Sequence, residues 1–384
     1  MSVNRIILDV AIVGAGPAGC TAALALADSG LRVGLIDQAR FPRDKTCGDA
    51  VAAYVPKVLA TISPALRDAF QQIEERQPVN ICRVVAPNGT ALDFRFSDTG
   101  NIIKRIHLDN FLFNQAIAQP HVTAYCERRV TNVKQVSEGW EIETPQELFF
   151  ARLIIGCDGA QSVVSRKLSD GRLLPEHYSA AVRGYYAGVT GTAPDVFELH
   201  FIDGFELGYF WIFPEVDGSC NVGVGGLSEY IAKKSINLRG LLQELISTHP
   251  TLSPRFSRAH LLSEIKGFGL PLGSRKIPIS GPGWMLCGDA AHLIDPLTGE
   301  GIGQAMVSGR YAGWKAAACF SENNFSADFM KAYDQQVYAK FWSSHRKSYW
   351  LQRYLVPRFW LFNRVANWAH RFPVIHRWIQ RVIL

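Results

Sequence analysis

The segment DVAIVGAGPAGCTAALALADSGLRVGLID, residues 9 to 37, leaves little choice in how this chain begins to fold. An apolar strand runs into Gly14, Gly16 and Gly19, with Pro17 and Ala18 inside the turn. An alanine-rich helical stretch and a second apolar strand follow, ending at Asp37. The glycines allow a tight turn, close approach of a pyrophosphate to the backbone and close packing of helix on strand, while the helix N-terminus offers unpaired N–H groups to phosphates. Asp37 lies 23 residues after Gly14, where a carboxylate accepts hydrogen bonds from a ribose. A glycine triplet alone is weak evidence; strand, helix, strand and acid in this order predict a dinucleotide-binding βαβ unit.

Two later segments carry the same signature. RLIIGCDGAQSVVSRKL (152 to 168) is an apolar strand that delivers Asp158 and Gly159 at its carboxyl end, where open parallel sheets bind ligands, with Arg166 in the helix that follows. By itself it reads equally as an Asp-Gly turn closing a strand. In GWMLCGDAAHLIDPLTGEGIGQAMVSGRYAG (283 to 313), a strand ends at Gly288 and Asp289. Pro296, Gly299, Glu300, Gly301 and Gly303 then form a loop into a helix that opens at Gly301 and Ile302. Asp289 can accept from sugar-alcohol hydroxyls, and the N–H groups of that helix start favour an electron-rich ring edge. Dinucleotide motifs at the beginning, middle and end predict a discontinuous cofactor domain. The expected boundaries are 1–75, 100–172 and 272–325 for the cofactor domain, 76–99 and 173–271 for an inserted β-rich substrate domain, and 326–384 for a helical C-terminal region.

Composition narrows the class. The chain has 384 residues, long for one core, and its 48% apolar and 19% charged content is that of a globular protein. The N-terminal apolar run is too short for a signal peptide, and no stretch approaches the roughly 18 apolar residues of a membrane span. Eight cysteines without a CxxC pair argue against a disulfide framework or zinc, so a reduced, cytoplasmic protein is expected. The basic balance belongs to the tail: residues 340 to 384 hold nine cations and no acid, leaving 31 cations against 34 acids elsewhere. A basic surface over the whole protein, as a nucleic-acid binder shows, is not indicated.

GAGPAG, CDGAQSVVSRKL and GDAAHLIDPLTGEGIGQA together resemble the three FAD fingerprints of the para-hydroxybenzoate-hydroxylase-like flavoproteins. That superfamily contains aromatic hydroxylases, flavin halogenases, squalene epoxidase relatives and geranylgeranyl reductases. FPRDKTCGDA (41 to 50) resembles the KxCGG segment of the geranylgeranyl reductases, with Lys45, Cys47 and Gly48 in place and Asp49 where a glycine is more usual. LGYFWIFP (207 to 214) resembles that family's YxWxFP signature through Tyr209, Trp211, Phe213 and Pro214. Arg105, Asp109 and Leu112 resemble its R-x-x-x-D-x-x-L helix start, where the arginine reaches the FAD phosphates or ribityl chain. The WxWxIP pattern and lysine-bearing GxGxxP loop of halogenases are not found.

The resemblance implies FAD as cofactor, held by the residues of the three motifs together with Lys45, Cys47, Gly48 and Arg105. It implies an α/β fold: a Rossmann-like FAD-binding domain, an inserted antiparallel sheet and a helical C-terminus. It implies hydride transfer from reduced flavin to carbon–carbon double bonds of an isoprenoid lipid or quinone side chain. With one glycine fingerprint present, electrons are expected from transiently bound NAD(P)H or a small redox protein. Tyr209, Trp211 and Phe213 point to one face of a strand and would wall an apolar ligand, or else serve ordinary sheet packing. Cys47, beside Lys45, reads as a proton donor or substrate gate, or as an inert small hydrophobe. Cys47, Tyr209 and Trp211 are the expected catalytic group. His107 and His292 show no partner in the sequence.

The tail repeats F-W-x-x-x-R-x-x-x-W-x-x-R-aromatic at 341 to 354 and 359 to 372. At helical spacing Trp342, Arg346, Trp350 and Arg353 share a face, as do Trp360, Arg364, Trp368 and Arg371, with Pro357 and Pro373 separating a series of short helices. Tryptophan with arginine and no acid suits an anionic membrane surface; helices packed on the core with guanidinium groups over indoles suit it equally. Two alternatives to the reductase remain: a monooxygenase whose reduced flavin reacts with oxygen, and a flavin-binding partner or sensor protein.

Overall fold

A computed structural model describes residues 5–372, 374–377 and 380; Pro373 and Arg381 lie outside the described residues. The opening apolar runs become the centre of an eight-stranded sheet ordered Ser280–Gly281, Trp284–Leu286, Leu148–Gly156, Arg5–Val13, Val33–Ile36 and Val122–Tyr125. All but the first pairing along this path are parallel, and a hairpin of Asn132–Val136 and Gly139–Glu143 adds antiparallel strands beside Leu148–Gly156. Val10 to Val13, Val33 to Ile36 and Leu153 to Gly156 are buried throughout, as strands covered on both faces must be.

Close backbone approach unites the first and third motifs. Helix Pro17–Ala25 lies against helix Ile302–Ser321, and a Cβ on Gly309 would stand 2.1 Å from the Ala18 carbonyl oxygen. One on Gly313 would stand 2.6 Å from that of Ala22. Glycine at these positions is therefore a packing requirement.

The second sheet has nine strands, ordered His260–Leu261, Tyr178–Ala187, Cys220–Leu227, Gly208–Pro214, Val196–His200, Arg76–Val85, Ala91–Ile103 and Ala50–Val51, with Lys266–Pro271 also on Tyr178–Ala187. It departs from the expected antiparallel pattern at one place: Val196–His200 runs parallel to Arg76–Val85. These strands come from the two separate inserted segments, so no hairpin dictates their direction. It also takes residues the sequence reading gave to the cofactor domain. Strand Ala91–Ile103 continues past residue 99, and Ile102 pairs with Ala50. One face of this sheet buries Phe210, Ile212, Val222 and Val224 with Leu242 and Leu245 of helix Leu238–Thr248. The other carries Tyr209, Trp211 and Phe213.

The C-terminal region begins with one long helix in place of the first short one. Ser326 caps helix Ala327–Trp350, whose 24 residues contain neither proline nor glycine. A widened turn at Leu351–Leu355 and Pro357 intervene before helix Phe359–Arg371. Ala366 and Ala369 pack that last helix on Leu92 and Phe94 of the second sheet.

Candidate FAD and substrate site

The glycine turn is built as its motif predicts. Gly14 has φ 101°, and a Cβ there would lie 2.3 Å from the Cys157 carbonyl oxygen at the end of the second motif's strand. A Cβ on Gly19 would lie 1.8 Å from the Gly14 oxygen. Gly16 is different: only the Arg43 guanidinium comes near its Cβ position, at 3.7 Å. Gly16 caps helix Pro17–Ala25 without a side-chain bond, and Gly301 does the same for helix Ile302–Ser321. Two long helices thus present uncapped N–H groups, one for a pyrophosphate and one for a polar ring edge, and the donor set fits FAD.

The acids around this frame are already engaged. Asp37 accepts from the Ala15 N–H at 2.7 Å and the Ala39 N–H at 2.8 Å, bracing the turn. Asp158 accepts from Val163 N at 2.6 Å and from the Ser162 hydroxyl, so its carboxylate caps the helix that contains Arg166. Gly159, at φ 77°, makes the reversal after it. Glu300 accepts from Tyr54 Oη at 2.8 Å and Gln304 Nε2 at 2.9 Å. Gly299, also left-handed, and buried Pro296 shape the loop between. Asp289, beside left-handed Gly288, meets Lys45 Nζ at 3.3 Å. Asp289→Ala is expected to lower FAD affinity about 10- to 100-fold, as loss of charge-assisted hydrogen bonds of roughly 1.5–3 kcal/mol would do. The flavin-to-protein absorbance ratio after gel filtration measures it, and an unchanged ratio would remove Asp289 from the cofactor site.

Arg105 does not stand free to reach a phosphate. It is buried as the first residue of helix Arg105–Ile117, and its Nε and Nη2 grip Asp109 at 2.7 and 2.8 Å. Burial pushes the Asp109 carboxyl up, but Arg105 and Arg43 outweigh it and hold it below the usual range. Arg43, which donates to Asp109 at 2.7 Å and lies 3.7 Å from the Cβ position of Gly16, is a cation at the glycine turn that the sequence reading missed. Its signal was position alone, four residues before Cys47. His107 finds a partner at the surface, Glu75 at 3.5 Å. His292 is buried with φ 52°, and burial pushes its imidazole down to about 4, so it is neutral near pH 7.

The segment Lys45 to Asp49 and the aromatic strand meet face to face. Tyr209, Trp211 and Phe213 share one side, with neighbouring ring centroids 6.1 Å apart. A Cβ on Gly48 would stand 3.2 Å from the Phe213 ring, and the Tyr209 hydroxyl donates to the Thr298 carbonyl in the third motif's loop at 2.5 Å. Asn221, opposite Phe213 in the sheet register, joins the parts: it accepts from Trp211 Nε1 at 2.9 Å and donates to the Cys47 oxygen at 2.8 Å and Asp49 Oδ2 at 2.7 Å. Asn221 was not legible in sequence because only the strand register places it. Burial pushes the Cys47 thiol up, and the nearby Arg105 guanidinium and Asp49 backbone N–H oppose that rise.

A parallel dinucleotide sheet entered from three segments, crossed by a second sheet with an aromatic face, defines an FAD-dependent oxidoreductase of the para-hydroxybenzoate-hydroxylase-like class. Residues 7–223 match the FAD binding domain family. Menaquinone reductase of Mycolicibacterium smegmatis is 32% identical over 322 residues, 79% of this chain and 75% of that protein. Digeranylgeranylglycerophospholipid reductase 2 of Methanopyrus kandleri is 30% identical over 351 residues, 87% and 83% of the two chains. The crystal structure of a geranylgeranyl bacteriochlorophyll reductase-like protein from Thermoplasma acidophilum superposes with a TM-score of 0.83 at 24% identity, covering 95% and 91%. A point mutant of the halogenase PltM, in complex with FAD, shares the fold at a TM-score of 0.75 and 17% identity, covering 90% and 76%. The chain belongs to the geranylgeranyl reductase family of FAD-dependent oxidoreductases.

Proposed function

We propose that this protein reduces carbon–carbon double bonds in the isoprenoid chain of a lipid or quinone, with electrons from NAD(P)H or a small redox protein. The observation that carries the reading is the aromatic face of Tyr209, Trp211 and Phe213 set against Cys47 and Gly48, a wall for an apolar chain beside a proton-bearing group. When bound, reduced FAD supplies the hydride. The residues of this chain do the rest: Gly16, Arg43 and the start of helix Pro17–Ala25 hold the phosphates, Asp289 and Lys45 the sugar alcohol, and Gly301 and Ile302 the ring edge. The aromatic wall orients the alkene and excludes water. Cys47 keeps its proton near pH 7 because burial opposes the thiolate, and Arg105 with the Asp49 N–H stabilises that thiolate once the proton has gone to carbon.

Mixing the photoreduced, FAD-loaded protein with geranylgeraniol, and separately with air-saturated buffer, tests this. Fast return of the oxidised flavin spectrum with the lipid, slow return with oxygen and a product two hydrogens heavier are expected. Oxygen consumption with a hydroxylated or epoxidised product would make it a monooxygenase instead.

The tail supports access from a membrane surface. Among the described residues no helix is long and apolar enough to span a membrane. Trp350, Trp360, Trp368, Phe372 and Val374 are 46–69% exposed in a stretch without acids. Of the first repeat, Arg353 pairs with Glu229 and half-buried Trp342 lies under Lys276, whereas Trp360 and Trp368 of the second are both exposed. Arg364 stacks over Trp368 at 5.2 Å, so packing of cation on indole and exposure coexist. Removing both Trp360 and Trp368 by alanine substitution is expected to weaken sedimentation with phosphatidylglycerol vesicles about tenfold, the effect of roughly 1.4 kcal/mol. Equal binding by both proteins would return the tail to a packing role.

A further inference from the structure

Beside Cys47, at the strands of the second sheet, lies a set of polar groups that cofactor and substrate do not account for. Asp49 has φ 64°, a left-handed backbone where glycine costs nothing and an aspartate is tolerated. Its carboxylate is fully buried and accepts from Tyr185 Oη at 2.6 Å, Asn221 Nδ2 at 2.7 Å and Arg105 N at 3.3 Å. Glu215 begins the turn after the aromatic strand, its backbone pinned to Ser219 at 2.8 Å. Its side chain is 3% exposed, and neither carboxyl oxygen has a hydrogen-bond partner among the described residues. An ionised carboxylate so placed is not tolerated, so the group carries a proton.

The charged groups around it are Asp49, Lys104, Asp217 and Arg183. Lys104 and Asp217 pair at 2.6 Å at the rim, where Asp217 is half exposed. Arg183 is taken by Asp44 at 3.0 Å and stacks on Tyr185. Among the described residues no cation is bonded to Glu215 itself. Burial and then the Asp49 charge push the Glu215 carboxyl up to about 9, and burial pushes Asp49 up to about 6 against its bonds from Tyr185 and Asn221. The two acids therefore hold a proton in a buried cluster that Asn221 ties to the Cys47 backbone and Asp49, and that ends outward at the Lys104–Asp217 ion pair.

We propose that Glu215 and Asp49 form a buried proton store that reloads the Cys47 thiol after each turnover. This rests on the alkene-reductase reading. In each cycle the Cys47 S–H bond breaks as a C–H bond forms at one alkene carbon, the hydride from the reduced cofactor having gone to the other. The acid pair then loses an O–H proton as the S–H bond re-forms, and solvent replaces it past Lys104 and Asp217. No further oxidant or reductant enters. Glu215 and Asp49 act through Cys47 and are positioning residues.

The test uses the FAD-loaded full chain. Infrared spectroscopy of the wild-type protein at pH 7 is expected to show the carbonyl stretch of a buried protonated carboxyl, fading as the pH passes about 9 and missing in Glu215→Gln. With dithionite as reductant and geranylgeraniol as substrate, the variant should complete its first turnover at the wild-type rate. Later turnovers should slow on the order of 100-fold, the low end of what a positioned proton source contributes. Asp49→Asn should show the same split between first and later turnovers. A wild-type protein without the band, or variants with the wild-type steady-state rate and pH profile, would overturn the store. A wild-type protein that keeps the band but reduces no prenyl alkene would overturn the reductase reading, and with it this use of the store.

Discussion

Replacing Gly14 by alanine is expected to yield a chain that holds no FAD and unfolds at a much lower denaturant concentration. The added methyl would sit 2.3 Å from the Cys157 carbonyl oxygen and 2.6 Å from its carbon, atoms of a central strand end that cannot swing aside. The position also has φ 101°, which an L side chain rarely adopts. Steric overlap and backbone strain together put the cost on the order of 4 kcal/mol or more, against a total stability of roughly 5–15 kcal/mol. Gly16→Ala is the informative contrast. Its φ is −77° and the nearest atom to the new methyl is a flexible arginine nitrogen at 3.7 Å, so the fold should persist. FAD should nevertheless bind more weakly, because the methyl occupies the approach to the uncapped helix start. Flavin content and urea midpoints of the two variants separate folding from cofactor binding. A Gly14→Ala protein with full flavin and a wild-type midpoint would sink the assignment.

The parts of the site legible in sequence were those in which one short segment contains both the geometry and the chemistry. Strand, turn and helix at 9 to 37 carry their own glycines and acid, and alternation alone puts Tyr209, Trp211 and Phe213 on one face. Contacts decided by strand register or by packing of distant segments were not legible. Asn221 meets Trp211 and Asp49 only because Phe213 pairs with Asn221 across an antiparallel ladder. Asp158 has the spacing of a ligand-binding acid, yet Ser162 and Val163 lie where its carboxylate caps their helix. The resemblance to R-x-x-x-D-x-x-L implies an Arg105 that reaches the FAD phosphates or ribityl chain, and the pattern does not show that Asp109, four residues on, takes the guanidinium as a helical pair. The tail pattern was seen, but the helix carrying its first half extends far upstream because nothing in Ala327–Trp350 breaks it.

Glu215→Gln is expected to stabilise the folded protein at neutral pH although it adds no contact. In the unfolded chain the glutamate ionises near its ordinary value of 4.5, whereas the folded protein keeps the proton up to about 9. Below 4.5 both states are protonated and the group costs nothing. Between 4.5 and 9 the unfolded state releases a proton that the folded state retains, so stability falls as the pH rises; above 9 the loss is complete and constant. At about 1.4 kcal/mol per pH unit the disadvantage at pH 7 reaches up to about 3 kcal/mol. Glutamine cannot ionise, fills the same volume and gives up no hydrogen bond, since the carboxyl oxygens have none among the described residues. Asp49, raised in the same direction, is present in both proteins and so drops out of the difference. Urea midpoints should therefore coincide near pH 4 and separate in favour of the variant by pH 7 to 8. Parallel curves across that range would mean that Glu215 is ionised in the folded state, with a counter-charge close enough to hold it so.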